Sequence, residues 1–210
     1  MPKTNASQDS QDRFSAPGYE RECGKDEGWS DEEELEVQQV WTHRVGQEEQ
    51  AGPQARLNSR LQAMKVRYSA HVDPDVNYSN QAFLDLLQIY LADPDGWVGK
   101  GYNFEYDPKA KLKIRLSSPS TITKECGLPG NLSCAELGGN NMYLNFDRWI
   151  KGSKASKLDR DSYRQYMVSH EMGHILGYEH EKCPGKNKPA PIMLQQTLGL
   201  KGCRKNTKVF

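Results

Sequence analysis

The sequence predicts an α+β fold, a small twisted mixed sheet beside a long helix that carries a cluster of histidines. Three observations lead there. Period-two alternation recurs near residues 64–71, 102–106 and 111–116, as half-buried strands require. A helical apolar stripe runs from Phe83 to Leu91, the mark of an amphipathic helix. The histidine-rich run at 170–180 starts with a four-residue spacing that a helix turns into one shared face.

In chain order, Met64, Val66, Tyr68 and Ala70 alternate with Lys65, Arg67, Ser69 and His71, which gives a strand with one polar face. Ser79 can cap a helix ending near Ala92, with Phe83, Leu86, Leu87, Tyr90 and Leu91 buried and Pro94 beyond its end. Tyr102, Phe104 and Tyr106 make a second strand. Leu112, Ile114 and Leu116, alternating with Lys111, Lys113 and Arg115, make a third. After the Gly138-Gly139 break, residues 142–146 form a short fourth strand. A long helix starts near Asp159, where Leu158 and Tyr163 can form a hydrophobic staple, and runs into the histidines. Trp97 and Trp149 read as core or cleft-wall residues.

Charge divides the chain. Residues 1–55 hold five Lys/Arg and thirteen Asp/Glu, a net of −8, while residues 56–210 hold twenty-three and fifteen, a net of +8. The first part is rich in Gln, Ser, Glu and Asp, with an Asp31-Glu32-Glu33-Glu34 run. Such a composition buries too little apolar surface to offset chain entropy, so residues 1–58 are expected to be disordered. Residues 59–210 suffice for one hydrophobic core. The basic strand faces (Lys65, Arg67, Lys111, Lys113, Arg115) read as a solvated sheet surface or a contact for the acidic tail, and no nucleic-acid partner is expected. No run approaches the roughly 18 apolar residues of a membrane span. Residues 1–5 offer no apolar secretory stretch. A monomer without a membrane partner is the expectation.

The run at 170–180 is His-Glu-Met-Gly-His-Ile-Leu-Gly-Tyr-Glu-His. His170 and His174 stand one helical turn apart, so their rings can converge on one ion. Gly177 can take a positive φ and end the helix, turning the chain back to bring His180 in as a third ligand. Three neutral imidazoles leave a position open on a divalent ion, as in a catalytic zinc site, and one Zn2+ is the expected cofactor. Glu171, beside the first ligand, is placed to act as general base on water at that ion. The bland alternative, a surface helix with solvated histidines, does not account for five fixed residues at this spacing.

This run resembles the signature of the metzincin metallopeptidases, His-Glu-x-x-His-x-x-Gly-x-x-His followed by a methionine-containing turn. The matching turn is Pro191-Ile192-Met193-Leu194. The resemblance implies that Met193 lies under the zinc ligands as an apolar floor without binding the metal. More narrowly, the chain is similar to an uncharacterised, mostly bacterial group of metzincin-like domains over about residues 64–204. The shared stretches are Cys183-Pro184-Gly185, Pro189-Ala190-Pro191-Ile192-Met193-Leu194-Gln195-Gln196-Thr197 and Gly202-Cys203, with further similarity at 91–97 and 144–149. The implied activity is endopeptidase hydrolysis of a peptide or protein substrate. That substrate would pair with an edge strand, and the segment in that place is Asn141–Asn145, with Met142, Tyr143 and Leu144 at its centre. Gln195 stands where astacin-like members carry a tyrosine, so the group that stabilises the transition state is unassigned. Two other classes compete: a zinc-bearing peptide-binding module without turnover, and a hydrolase of a non-protein amide such as a cell-wall peptide. Glu171 argues against the first, since a binding site has no use for a base beside the metal.

Five cysteines complete the reading. Cys126 and Cys134 bracket a short Gly/Pro/Asn loop, and Cys183 and Cys203 bracket the methionine turn. Two local disulfides would suit an oxidising compartment, and four reduced thiols are the alternative. Together with the resemblance, this points to an extracytoplasmic setting, against the missing secretory stretch. Cys23, in Arg21-Glu22-Cys23-Gly24, loosely resembles the propeptide cysteine that keeps matrix-type metzincins latent, and is a candidate latency thiol.

Overall fold

β1 (Met64–Val72) is the hub of the sheet, paired in parallel with β2 (Tyr102–Tyr106) on one side and β3 (Leu112–Ser117) on the other. These elements belong to a computed structural model, which describes residues 64–127 and 129–210. The acidic N-terminal stretch, its expected disorder and Cys23 lie outside the described residues. The further elements are α1 (Asn80–Leu91), α2 (Pro119–Cys126), β4 (Cys134–Ala135), β5 (Asn141–Asn145), α3 (Phe146–Lys151) and α4 (Arg160–Ile175). The described residues therefore form an α+β fold around one five-stranded mixed sheet, ordered β2-β1-β3-β5-β4. Only β4 runs antiparallel to its neighbour. Among the described residues, no helix is long and apolar enough to cross a membrane.

The core lies between the sheet and the helices α1 and α4. Tyr68, Ile114, Leu116, Met142 and Leu144 from the strands meet Phe83, Leu86 and Leu87 of α1 and Tyr163, Met167 and Val168 of α4. Trp149 of α3 is fully buried in the same cluster, edge-on to Phe83 with ring centroids 5.3 Å apart. Such edge-to-face pairs bring the positive rim of one ring to the negative face of the other. On the opposite face of the sheet, cations meet acids locally: Lys65 pairs with Glu105 at 2.9 Å, and Arg115 with the buried carboxylate of Asp73 at 2.9 Å.

Caps set the helix boundaries. Ser79 accepts from the Ala82 amide at the start of α1, and Asp159 accepts from the Ser162 amide at the start of α4. Each satisfies one of the amides that a helix start leaves without an internal partner. The strand expected at 142–146 runs instead from Asn141 to Asn145, because the Asn145 side chain accepts from the Arg148 amide and turns the chain into α3. α2 begins in the same way, with Ser118 as cap and Pro119 in the first turn. α2 and α3 have eight and six residues, too few for an apolar stripe to show in the sequence.

The expected edge strand is corrected. Met142, Tyr143 and Leu144 lie inside the sheet, between β3 and β4. β4 lies along β5 with Cys134 opposite Tyr143 and Ala135 opposite Met142. The Cys126–Cys134 disulfide ties β4 to the end of α2, and the Asn145 amide donates to Ser133 Oγ at 3.0 Å just beyond the ladder. The free edge on this side is therefore β4.

Candidate metal centre

α4 delivers His170 and Glu171 deep in the molecule, each 5% exposed, and His174 one turn later. The helix ends where Gly177 takes φ 90°. The Gly177 amide donates to the His174 carbonyl and the Tyr178 amide to the Gly173 carbonyl, both at 2.9 Å. These paired bonds form the Schellman motif that glycine permits after a last helical turn. The chain reverses there, and His180 returns against the two helical histidines.

The three rings form a tight group. His174 Nε2 lies 3.1 Å from His180 Nε2, and one ligand nitrogen from each ring lies within 4.8 Å of the other two. Carbonyls fix two of the tautomers. His170 Nδ1–H donates to Ile192 O and His174 Nδ1–H donates to Tyr178 O, each at 2.8 Å. A ring that donates from Nδ1 keeps the lone pair of Nε2 free to ligate. Burial also keeps the rings neutral: it lowers the His170 pKa to about 3, and it lowers those of His174 and His180 as well. Three neutral, converging, pre-oriented imidazoles form a group able to hold a metal ion, and their nitrogen donors suit zinc.

Glu171 sits beside this group. Burial alone raises its pKa to about 8. It lines a cleft of about 440 Å3 with His170, His174, His180, Tyr166 and Gln195, and the opposite wall is Leu132 to Ala135. That wall includes β4, so the free sheet edge borders the histidine group. The Gly138 amide donates to the His174 carbonyl at 2.8 Å and joins the same wall to the end of α4.

Met193, 1% exposed, packs against α4 at Gly173, its sulfur 2.3 Å from where a Cβ on that glycine would stand. Its carbonyl accepts from the Glu181 amide at 3.0 Å, which ties the third histidine's segment to the methionine turn. Tyr166 holds the same turn from the helix side. Its hydroxyl accepts from the Gln196 amide at 2.8 Å and donates to the Leu194 carbonyl at 3.0 Å. The Cys183–Cys203 disulfide closes the segment, with Cα atoms 5.8 Å apart, over a small core of Ala190, Leu194 and Leu200.

A family profile matches residues 36–207, most of the chain. The chain belongs to the DUF3152 family. The members of that family are described as proteins of unknown function. No curated protein matches the sequence. The DUF3152 match begins at residue 36, ahead of the domain boundary expected at 59.

In this DUF3152 chain the structure brings together His170, Glu171, His174, Gly177, His180 and Met193. Met142, Tyr143 and Leu144 lie one strand away from the free edge, and Cys23 lies outside the described residues. Sequence reasoning missed Gly173 and Tyr166. A Cβ on Gly173 would stand 2.3 Å from Met193 Sδ and 2.9 Å from the Trp97 ring. Trp97 is itself held by its indole N–H, which donates to the Ser169 carbonyl at 2.8 Å. A signal for Gly173 was present, since glycine inside a helix costs about 1 kcal/mol and so points to a close approach. Tyr166 carried no such signal.

Proposed function

We propose that the chain is a zinc-dependent endopeptidase, with His170, His174 and His180 holding one zinc ion and Glu171 as general base. The observation that carries this reading is the position of the buried Glu171 carboxyl in one cleft with three converging imidazoles, two of them held by carbonyls in the tautomer that leaves Nε2 able to ligate. A bound zinc would supply Lewis acidity at the open side of the triad.

The chain's own residues do the rest. The Ile192 and Tyr178 carbonyls hold two rings in their ligating tautomers, so little ordering is left for the moment of binding. A cation held by the triad would favour the ionised form of Glu171 over the neutral form that burial imposes. The ionised carboxylate then takes a proton from the attacking water and passes it to the leaving amine, and a base poised near neutrality does both well. β4 offers free backbone groups along the cleft, to which an extended peptide can add as a further strand. Gly177 and Met193 are supports, the one bringing His180 back and the other packing against α4 at Gly173. The resemblance to metzincins agrees with this division of roles.

The test is cleavage of a proteome-derived peptide library by the zinc-loaded full chain, read by mass spectrometry. Glu171→Gln should keep one zinc per chain and lose cleavage by about a hundredfold or more. His174→Ala should lose the zinc. Equal cleavage by Glu171→Gln overturns the reading. Tight peptide binding without cleavage by the parent replaces it with a binding module.

A further inference from the structure

Residues 182–208 carry seven cations, Lys182, Lys186, Lys188, Lys201, Arg204, Lys205 and Lys208, and no acid. The fold gathers them. The Asn187 amide donates to the Gly202 carbonyl at 2.9 Å, the Arg204 amide to the Lys188 carbonyl at 2.8 Å, and the Cys183–Cys203 disulfide closes the pair of segments. Lys208 is paired with Asp95 at 2.5 Å, and Lys205 lies near Asp159. The other lysines, Lys182, Lys186, Lys188 and Lys201, are exposed and have no acidic partner among the described residues. Arg204 Nε donates only to the Asn187 carbonyl. On the sheet face Lys65, Arg67 and Arg115 each meet an acid, while Lys111 and Lys113 have none among the described residues.

Next to these cations lies a second groove of about 500 Å3. Lys188 and Lys100 stand at it together with one acid, Glu181, and its apolar lining includes Trp97, Tyr178, Pro189 and Ile192. The Tyr178 ring lies on Trp97 at 4.6 Å and is still 43% exposed. Exposed aromatic surface rimmed by unpaired cations suits a segment that offers both carboxylates and large apolar side chains.

The chain contains such a segment. Residues 29–41 read Trp-Ser-Asp-Glu-Glu-Glu-Leu-Glu-Val-Gln-Gln-Val-Trp, five carboxylates between two tryptophans. We infer that residues 29–41 dock on this groove, with Asp31 to Glu36 on Lys182, Lys186, Lys188, Lys201 and Arg204 and a tryptophan against Trp97 and Tyr178. Two complementarities support this occupant. The segment's five acids face a patch, Lys100 included, whose cations lack an acidic partner among the described residues, and the net −8 of residues 1–55 opposes the +8 of the remainder. Residues 41 and 64 can lie up to about 80 Å apart along the chain, so reach is no obstacle. Tethering also raises the local concentration of the segment to the order of millimolar. The groove lies behind the histidine group, since Tyr178 accepts from His174 and Met193 also lines it. A docked segment therefore braces the third-ligand loop and leaves the cleft at Glu171 open. Docking stands apart from the hydrolytic reading, because a chain without turnover docks the segment equally.

Zero-length carbodiimide cross-linking of the full chain, read by mass spectrometry, tests this. The expected result is amide links from Asp31–Glu36 to Lys182, Lys186, Lys188 and Lys201. They should be lost in the exposed-surface variant Lys186→Glu/Lys188→Glu/Lys201→Glu, and at about 1 M salt, where the screening length falls to about 3 Å. Trp29→Ala/Trp41→Ala should lower their yield. Absence of links, equal linking to the sheet lysines Lys65 and Lys113, or links only between copies in an isotope-mixed sample overturns the inference. So does equal binding of a single-stranded oligonucleotide by the parent and by Asp31→Asn/Glu32→Gln/Glu33→Gln/Glu34→Gln, which would make the patch an open polyanion site.

Discussion

The sulfur of Met193 fills the space that a methyl group on Gly173 would occupy, 2.3 Å from where that Cβ would stand. Met193 and the helix that carries the histidines thus meet at a residue without a side chain, immediately before His174. Gly173→Ala should cost about 1–3 kcal/mol by overpacking, since Met193 is buried and Trp97 is tethered to the Ser169 carbonyl. Zinc binding should weaken with it. Denaturant unfolding and zinc titration check this, and adding Met193→Ala should recover part of the lost stability. A Gly173→Ala variant as stable as the parent would show that the floor yields freely.

Tyr166→Phe removes a hydroxyl that serves the Gln196 amide and the Leu194 carbonyl at once. Both groups are left without that partner inside the protein, at a cost of about 1–3 kcal/mol. The loss should be local to the methionine turn. Hydrogen exchange should therefore quicken at the Gln196 amide while the α1 amides stay protected.

Stability of the metal-free chain should vary with pH in two opposed ways. The His170 pKa falls from 6.5 to about 3 on folding, so its contribution is complete above pH 6.5 and is lost as pH falls towards 3. The Glu171 pKa rises from 4.5 to about 8, so its contribution is complete below pH 4.5 and is lost as pH rises towards 8. Between pH 4.5 and 6.5 the His170 and Glu171 slopes offset each other, and the lowered pKa values of His174 and His180 add a fall in stability as pH falls. Thermal unfolding after chelation should show a maximum near pH 6.5 with falls on both sides. Zinc should raise Tm most on the alkaline side, where neutral imidazoles and an ionised Glu171 are what the ion favours.

The two disulfides should differ in consequence. The sequence separation is 20 for Cys183–Cys203 and 8 for Cys126–Cys134. Replacing the first pair by serine should cost about 3 kcal/mol on the chain-entropy estimate, and zinc affinity should drop because the methionine turn loses its closure. Replacing the second should leave zinc affinity unchanged and weaken peptide binding along β4. Zinc and peptide titrations on the two double variants check the contrast.

The grouping of His170, His174 and His180 was legible in the sequence because it is local. The His170–His174 spacing and the position of Gly177 act through one helix and the turn that ends it, where covalent geometry fixes which side chains share a face. Strands β1, β2 and β3 and helices α1 and α4 were legible for the same reason, since each is long enough for its period and caps to show. The free edge was not legible. Whether β5 is an edge depends on a two-residue strand that exists only where the chain after α2 returns to it.

The sequence by itself determined the elements, their caps, the division of charge and the four side chains His170, Glu171, His174 and His180 at the candidate centre. The tertiary structure decided which edge borders the cleft, that a side chain on Gly173 would meet Met193 and Trp97, and that Tyr166 and the Cys183–Cys203 bond hold the methionine turn. It also decided which lysines lack an acid among the described residues. The reason is range. Helical periodicity and capping are set within a few residues, whereas edge exposure, close backbone approach and unpaired charge depend on segments brought together from far apart in the chain.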